Sequence, residues 1–138
     1  MRIEMKGVTR IVFVFKRFVV KIPKFTVQWD HFLKGIIGNI HENKTWKYNS
    51  GRYESGRSHL LCPVIWCSWG GWILIMKRAE PLIRKEWDQL LITEHMREFP
   101  GDDTISNYAY YQGRIVKIDY ASLDPAILSP SNNNSAYI

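Results

Sequence analysis

The sequence has little cysteine: Cys62 and Cys67 are the only two in 138 residues. On a strand, positions five apart point to opposite faces. A disulfide between them is therefore not expected, and both read as buried thiols in a reducing compartment. Neither stands at metal-ligand spacing from His31, His41, His59 or His95, which argues against a zinc site. No apolar run approaches the ~18 residues of a membrane span, and the N-terminus lacks a signal peptide's apolar core. No internal repeat and no Ser–His–Asp arrangement stands out. These absences lead to the expectation of a cytoplasmic chain with no membrane partner.

Acidic charge is scarce at one end. Residues 1–25 hold Arg2, Lys6, Arg10, Lys16, Arg17, Lys21 and Lys24 against Glu4 alone, so the whole net charge of +6 sits there. The remainder is neutral. A basic segment suits a polyanion: nucleotide phosphates, nucleic acid or an acidic protein. It equally suits a solvated strand face.

What is present is a globular balance, with 46% apolar and 23% charged residues. Residues 9–22 are dense in Val, Ile and Phe and predict two strands meeting near Lys16-Arg17, with Pro23 closing the second. Residues 29–46 predict an amphipathic helix with Trp29, Phe32, Leu33, Ile36, Ile37 and Ile40 on its apolar face. Gly35 and Gly38 within it suggest close approach to a neighbour. The run 59–77 predicts a hairpin turning at Ser68–Gly71, covered on both faces, with Pro63 at a sheet edge or bulge. A helix is expected over 81–99, opening on Pro81. A second hairpin is expected over 107–120, turning at Gln112-Gly113. Strands and helices that do not strictly alternate predict an α+β fold. Residues 1–124 are expected to form one domain, and 125–138 a polar C-terminal tail.

Chemistry concentrates near the second hairpin. Asp102 is followed five residues later by Asn107, and Asp119 closes the hairpin. The hairpin returns the chain to its start, so hard oxygen ligands can converge on one Mg²⁺ site. This piece resembles the catalytic segment of protein kinases and their atypical relatives, where an Asp is followed at +5 by Asn, then a short hairpin and an Asp-Phe-Gly-like triplet. Upstream, Phe18-Val19-Val20-Lys21 is similar to the strand bearing the phosphate-pairing lysine. Glu42, at the end of the following helix, is its partner in that resemblance. Trp72–Ala79 resembles the strand that enters the adenine-binding hinge.

The resemblance implies a truncated protein-kinase-like fold: an antiparallel sheet with one αC-like helix, then a helix and a catalytic-loop hairpin. It covers about residues 7–124, and its compactness is similar to small kinase-like proteins of tailed bacteriophages. It implies ATP and Mg²⁺ as cofactors. It makes Asp102 and Lys21 catalytic, Asn107 and Asp119 metal-holding, and Lys21, Glu42, Arg10, Met76, Lys77 and Ala79 cofactor-binding. Arg10 is expected to cover phosphate in place of the missing glycine-rich loop. Tyr120-Ala121 replaces Phe-Gly and Pro100 replaces the usual His, and the helical lobe that docks protein substrates is not expected in the residues after Asp119. The implied function is a kinase-like protein with a degenerate Mg-ATP site and residual phosphotransfer. The alternatives are a non-catalytic module for a protein partner and a basic nucleic-acid-binding protein.

Overall fold

A computed structural model describes residues 1–5, 7–25, 28–50, 58–85 and 105–120. Asp102, residues 86–99 of the expected second helix, and the expected tail over 125–138 lie outside them.

Five strands form an antiparallel sheet: β1 (Arg2–Glu4), β2 (Arg10–Val14), β3 (Phe18–Pro23), β4 (Val64–Cys67) and β5 (Leu74–Lys77), in the order β1-β2-β3-β5-β4. Between β3 and β4 runs one helix, α1 (Trp29–Ser50). A second, three-stranded antiparallel sheet contains β6 (Glu80–Pro81), β7 (Tyr108–Tyr111) and β8 (Arg114–Lys117). Among the described residues the fold is therefore mixed α and β, with antiparallel sheets and one long helix.

The first pair of strands follows from the β-branched and aromatic run, which suits a pleated surface. Phe15 and Phe18 stack at 4.7 Å across its turn, and the Phe15 amide donates to the Phe18 carbonyl. Pro63 precedes the edge strand β4, whose register shifts between Val64 and Trp66. The β7–β8 hairpin turns on Gln112 (φ 50°) and Gly113 (φ 77°). Both central residues have positive φ, as a right-twisted two-residue hairpin turn requires.

One apolar core joins the two sheets. Leu61, Cys62, Leu74, Met76, Val116 and Tyr120 are its most deeply buried members. The Tyr120 hydroxyl donates to the Cys62 carbonyl at 2.9 Å, and the Cys62 amide donates to the Lys117 carbonyl. These bonds fasten the end of the hairpin to the segment before β4. Both cysteines are free thiols.

Three expectations are corrected. The inward face of α1 is not the apolar one. Phe32 is buried, but the rest of that face is Gly35, Gly38, Asn39, Glu42, Thr45 and Asn49. Leu33 and Ile37 are about half exposed, and Trp29 is largely exposed. At Gly35 the reason is that α1 lies too close to the sheet for any side chain, and at Asn39 and Glu42 that the sheet presents cations rather than apolar groups. A Cβ on Gly35 would stand 2.5 Å from the Thr9 carbonyl oxygen. Second, the 59–77 hairpin is not covered on both faces, because Ile65 and Trp66 on the edge strand are exposed. Third, Pro81 does not open a helix. It lies in β6 and pairs with Ala109, while Glu80 pairs with Tyr110.

Candidate functional site

The cross-strand register puts two cations on one face of the sheet. Arg10 is opposite Pro23, and Val12 is opposite Lys21. Opposed residues of antiparallel strands share a face, so Arg10 and Lys21 both lie on the side that receives α1. The helix answers with Asn39 and Glu42, three residues apart and hence neighbours on its surface. All four side chains are buried, Asn39 and Glu42 completely.

Glu42 is the centre of the cluster. Its Oε2 lies 3.0 Å from Lys21 Nζ, and its Oε1 accepts from Lys21 Nζ at 3.2 Å and Arg10 Nη2 at 3.0 Å. The Tyr120 backbone amide also donates to Oε1, at 3.3 Å. A carboxylate removed from water needs such partners, since an unpaired buried charge is costly. The hairpin end enters the same cluster. Lys21 Nζ donates to the Ile118 carbonyl at 2.7 Å, and Arg10 Nη2 donates to Asp119 Oδ1 at 2.9 Å. Asp119 is half exposed, so the cluster runs from the interior to the surface at this residue.

Asn39 frames the cations. Its amide nitrogen donates to the Lys21 carbonyl at 3.3 Å and the Gly71 carbonyl at 2.8 Å, and its oxygen accepts from Arg10 Nη1 at 3.3 Å. Gly71 makes this approach possible. A Cβ there would lie 2.7 Å from the Ile36 carbonyl oxygen, and its φ of 75° disfavours any side chain.

The structure brings Lys21, Glu42, Arg10 and Asp119 together, and places Asn107 nearby. The Ile118 amide donates to the Asn107 carbonyl at 2.8 Å, so the residue that opens the hairpin adjoins the one that ends it. Arg10 does not reach over a surface as expected. It is buried, and its guanidinium engages the internal acids. Burial disfavours its charge, but Glu42 and Asp119 outweigh that and raise its pKa above the ordinary value. Met76 lies on β5 two residues from Leu74, the partner of Lys21, so it shares the face of the cluster. Met76 is a core residue. The Lys77 amide is given to the Pro63 carbonyl and Ala79 packs on the core, leaving the Lys77 amide committed within the fold.

Two participants were not expected. Asn39 and the Tyr120 amide complete the shell around the cations and Glu42. The signal for Asn39 is present in the sequence. Small and polar residues at 35, 38, 39, 42, 45 and 49 form a helical stripe that competes with the apolar one.

The residues fit a divalent cation poorly. Mg²⁺ needs hard oxygens in near-octahedral order. Glu42 is enclosed by two cations and an amide, and Asp119 Oδ1 already accepts from a guanidinium. Among the described residues no group of three His, Cys, Asp or Glu side chains is placed to hold a metal. The basic N-terminal segment also changes character. Arg10 and Lys21 are internal, Arg2 pairs with Glu4 at 2.6 Å and Lys24 is half-buried, while Lys16 and Arg17 stand exposed at the β2–β3 turn. No helix among the described residues is long and apolar enough to cross a membrane. Comparison with family models, curated proteins and solved structures finds no match to this chain.

Proposed function

We propose that the chain is a kinase-like module that binds a nucleotide at the Lys21–Glu42–Asp119 cluster. The observation that supports this reading is the ion pair between a strand lysine and a helix glutamate, set against the residue that ends a β-hairpin. Protein kinases depend on that lysine–glutamate pair and on an aspartate just past such a hairpin. The five-stranded antiparallel sheet with its helix between β3 and β4 supplies the frame.

The chemistry is electrostatic. An ammonium has three donors, and Lys21 directs its own at Glu42 Oε1, Glu42 Oε2 and the Ile118 carbonyl. A phosphate oxygen would take the place of the Ile118 carbonyl, exchanging a neutral acceptor for a charged and stronger one. Glu42 keeps the ammonium aimed during that exchange. Adenine would be held by backbone groups beyond Met76, at Ala79, since the Lys77 amide is given to the Pro63 carbonyl. The proposed function is binding. Phosphoryl transfer would further require Asp102 to orient an acceptor hydroxyl.

The test is thermal unfolding of the full chain with and without saturating ATP, since a ligand that binds only the folded state raises Tm. The reading expects a rise in the wild type that Lys21→Met reduces. An unchanged wild-type Tm would reject it.

A second reading, a non-catalytic module for a protein partner, is favoured by one surface feature. Phe25, Trp29 and Trp72 surround Phe32 at ring separations of 4.9, 5.8 and 5.4 Å, and the first three remain exposed beside Leu33 and Ile37. Aromatic clusters of this kind form binding hot spots. This reading expects Trp29→Ala and Ile37→Ser to leave nucleotide response and stability unaltered while abolishing association with the partner in a pull-down.

A further inference from the structure

The cluster balances its own charge. Arg10 and Lys21 bring two positive charges, Glu42 and Asp119 two negative ones, and all four are linked by contacts of 3.0 Å or less. Without Arg10 the remaining three would carry a net negative charge. That is the condition in which a carboxylate site recruits a divalent cation. With Arg10 in place, neutrality is reached by protein groups alone.

Arg10 is held there by a built frame. Its Nη1 meets the wholly buried Asn39 oxygen, and Asn39 is fixed in turn by the Lys21 and Gly71 carbonyls. Its Nη2 bridges Glu42 and Asp119, the one interior and the other half exposed. A guanidinium stays charged at any pH a protein meets and matches carboxylates with a rigid planar fork. A divalent ion on Asp119 would sit beside that fixed charge, where repulsion between like charges is weakly screened.

We propose that Arg10 is the resident counter-cation of this site, so that it takes a nucleoside di- or triphosphate free of divalent metal. This rests on the nucleotide-binding reading given above. Arg10 neutralises Asp119, removing the repulsion that this carboxylate would exert on an incoming phosphate chain. Lys21 then meets the phosphate directly. The free nucleotide then needs no bridging metal to lie against Asp119, whose charge Arg10 already meets.

The test is the Tm of the full chain with ATP in excess EDTA, with ATP and excess Mg²⁺, and with Mg²⁺ alone. The expected result is an apparent Kd in EDTA equal to or tighter than that in Mg²⁺, within about twofold on the weak side, and no response to Mg²⁺ alone. Arg10→Gln should reverse the pattern: binding in EDTA is lost and Mg²⁺ restores it. A wild-type Tm gain that requires Mg²⁺ overturns this inference and leaves the nucleotide reading standing. No gain in either condition overturns both. The wild-type comparison decides the matter even if Arg10→Gln fails to fold.

Discussion

Arg10 and Asp119, separated by 109 positions in the chain, meet at 2.9 Å through one guanidinium nitrogen and one carboxylate oxygen. The contact ties the second strand of the main sheet to the end of the β7–β8 hairpin. Its partner contact, Arg10 to Glu42, ties the same strand to α1. Three separate elements are thus held by one buried side chain, and the cluster is structural before it is anything else.

Glu42 is the first place to test this. Glu42→Gln leaves Arg10 and Lys21 buried without their shared carboxylate. Breaking a buried pair from one side costs about 3–5 kcal/mol. Urea unfolding should show a loss in that range. A loss below about 1 kcal/mol, the worth of an exposed pair, would mean that water reaches the cluster freely.

Gly35 offers a sign test of the close approach between α1 and the sheet. On an open helix, Gly→Ala stabilises by about 1 kcal/mol. Here the added Cβ meets the Thr9 carbonyl oxygen at 2.5 Å and Pro23 Cα at 3.0 Å, both backbone atoms. Gly35→Ala should therefore destabilise, by about 1–3 kcal/mol as overpacking does. At Gly113 nothing lies within 4 Å of the added atom, so only the positive φ opposes substitution. Gly113→Asn should be tolerated, since Asn accepts the left-handed region. Stabilisation by Gly35→Ala would contradict the packing.

The register of α1 gives a third prediction. Ile37→Lys and Leu33→Lys alter half-exposed positions and should change stability by no more than about 0.5 kcal/mol. Asn39→Leu removes partners of Arg10, the Lys21 carbonyl and the Gly71 carbonyl. Unsatisfied buried groups cost about 1–3 kcal/mol each, so this variant should lose at least about 2 kcal/mol. Apolar periodicity alone would order these variants the other way.

That reversal shows where the sequence was readable. The β2–β3 and β7–β8 hairpins follow from local residue choice: Val, Ile, Phe and Tyr for the strands, Gln112-Gly113 for the second turn. The existence of α1 follows from its period. Its inward face does not, because the partners that make Asn39 and Glu42 buriable come from Arg10 and Lys21, 29 and 21 positions away. Pro81 misleads for the same reason. A proline at a helix start is a local preference, whereas pairing with β7 depends on residues nearly thirty positions later. Of the site, the Lys21–Glu42 contact was reachable from spacing and resemblance; the inward role of Arg10 was not, since a basic residue near an N-terminus reads first as solvated.

Alkaline pH provides a fourth prediction. Burial pushes the Cys62 thiol from 9.0 up to about 12, with the Lys21 charge opposing and the Glu42 charge assisting. Burial and the Glu42 charge raise the Tyr120 phenol well above 10.0. Both groups keep their protons in the fold after the unfolded chain has released them. The unfolded state then binds fewer protons, so stability is full below about pH 9 and falls as pH rises toward 12. Each group adds a slope of about 1.4 kcal/mol per pH unit within its window. Urea unfolding at stepped pH should show this fall, and Cys62→Ala should lessen it between about pH 9 and 10. A slope identical in Cys62→Ala would mean that the thiol ionises in the fold as easily as outside it.

The central claim is that the buried ion cluster and the hairpin end form a nucleotide site. The most direct measurement is to add ATP, once in EDTA and once in excess Mg²⁺, to the nitrogen-labelled chain and follow its backbone amides by NMR. The account predicts that the largest shifts fall on Lys21, Glu42 and Ile118–Tyr120, where phosphate displaces the Ile118 carbonyl from Lys21. Shifts confined to the exposed Lys16-Arg17 turn, or no shifts at saturating ATP in either condition, would contradict it.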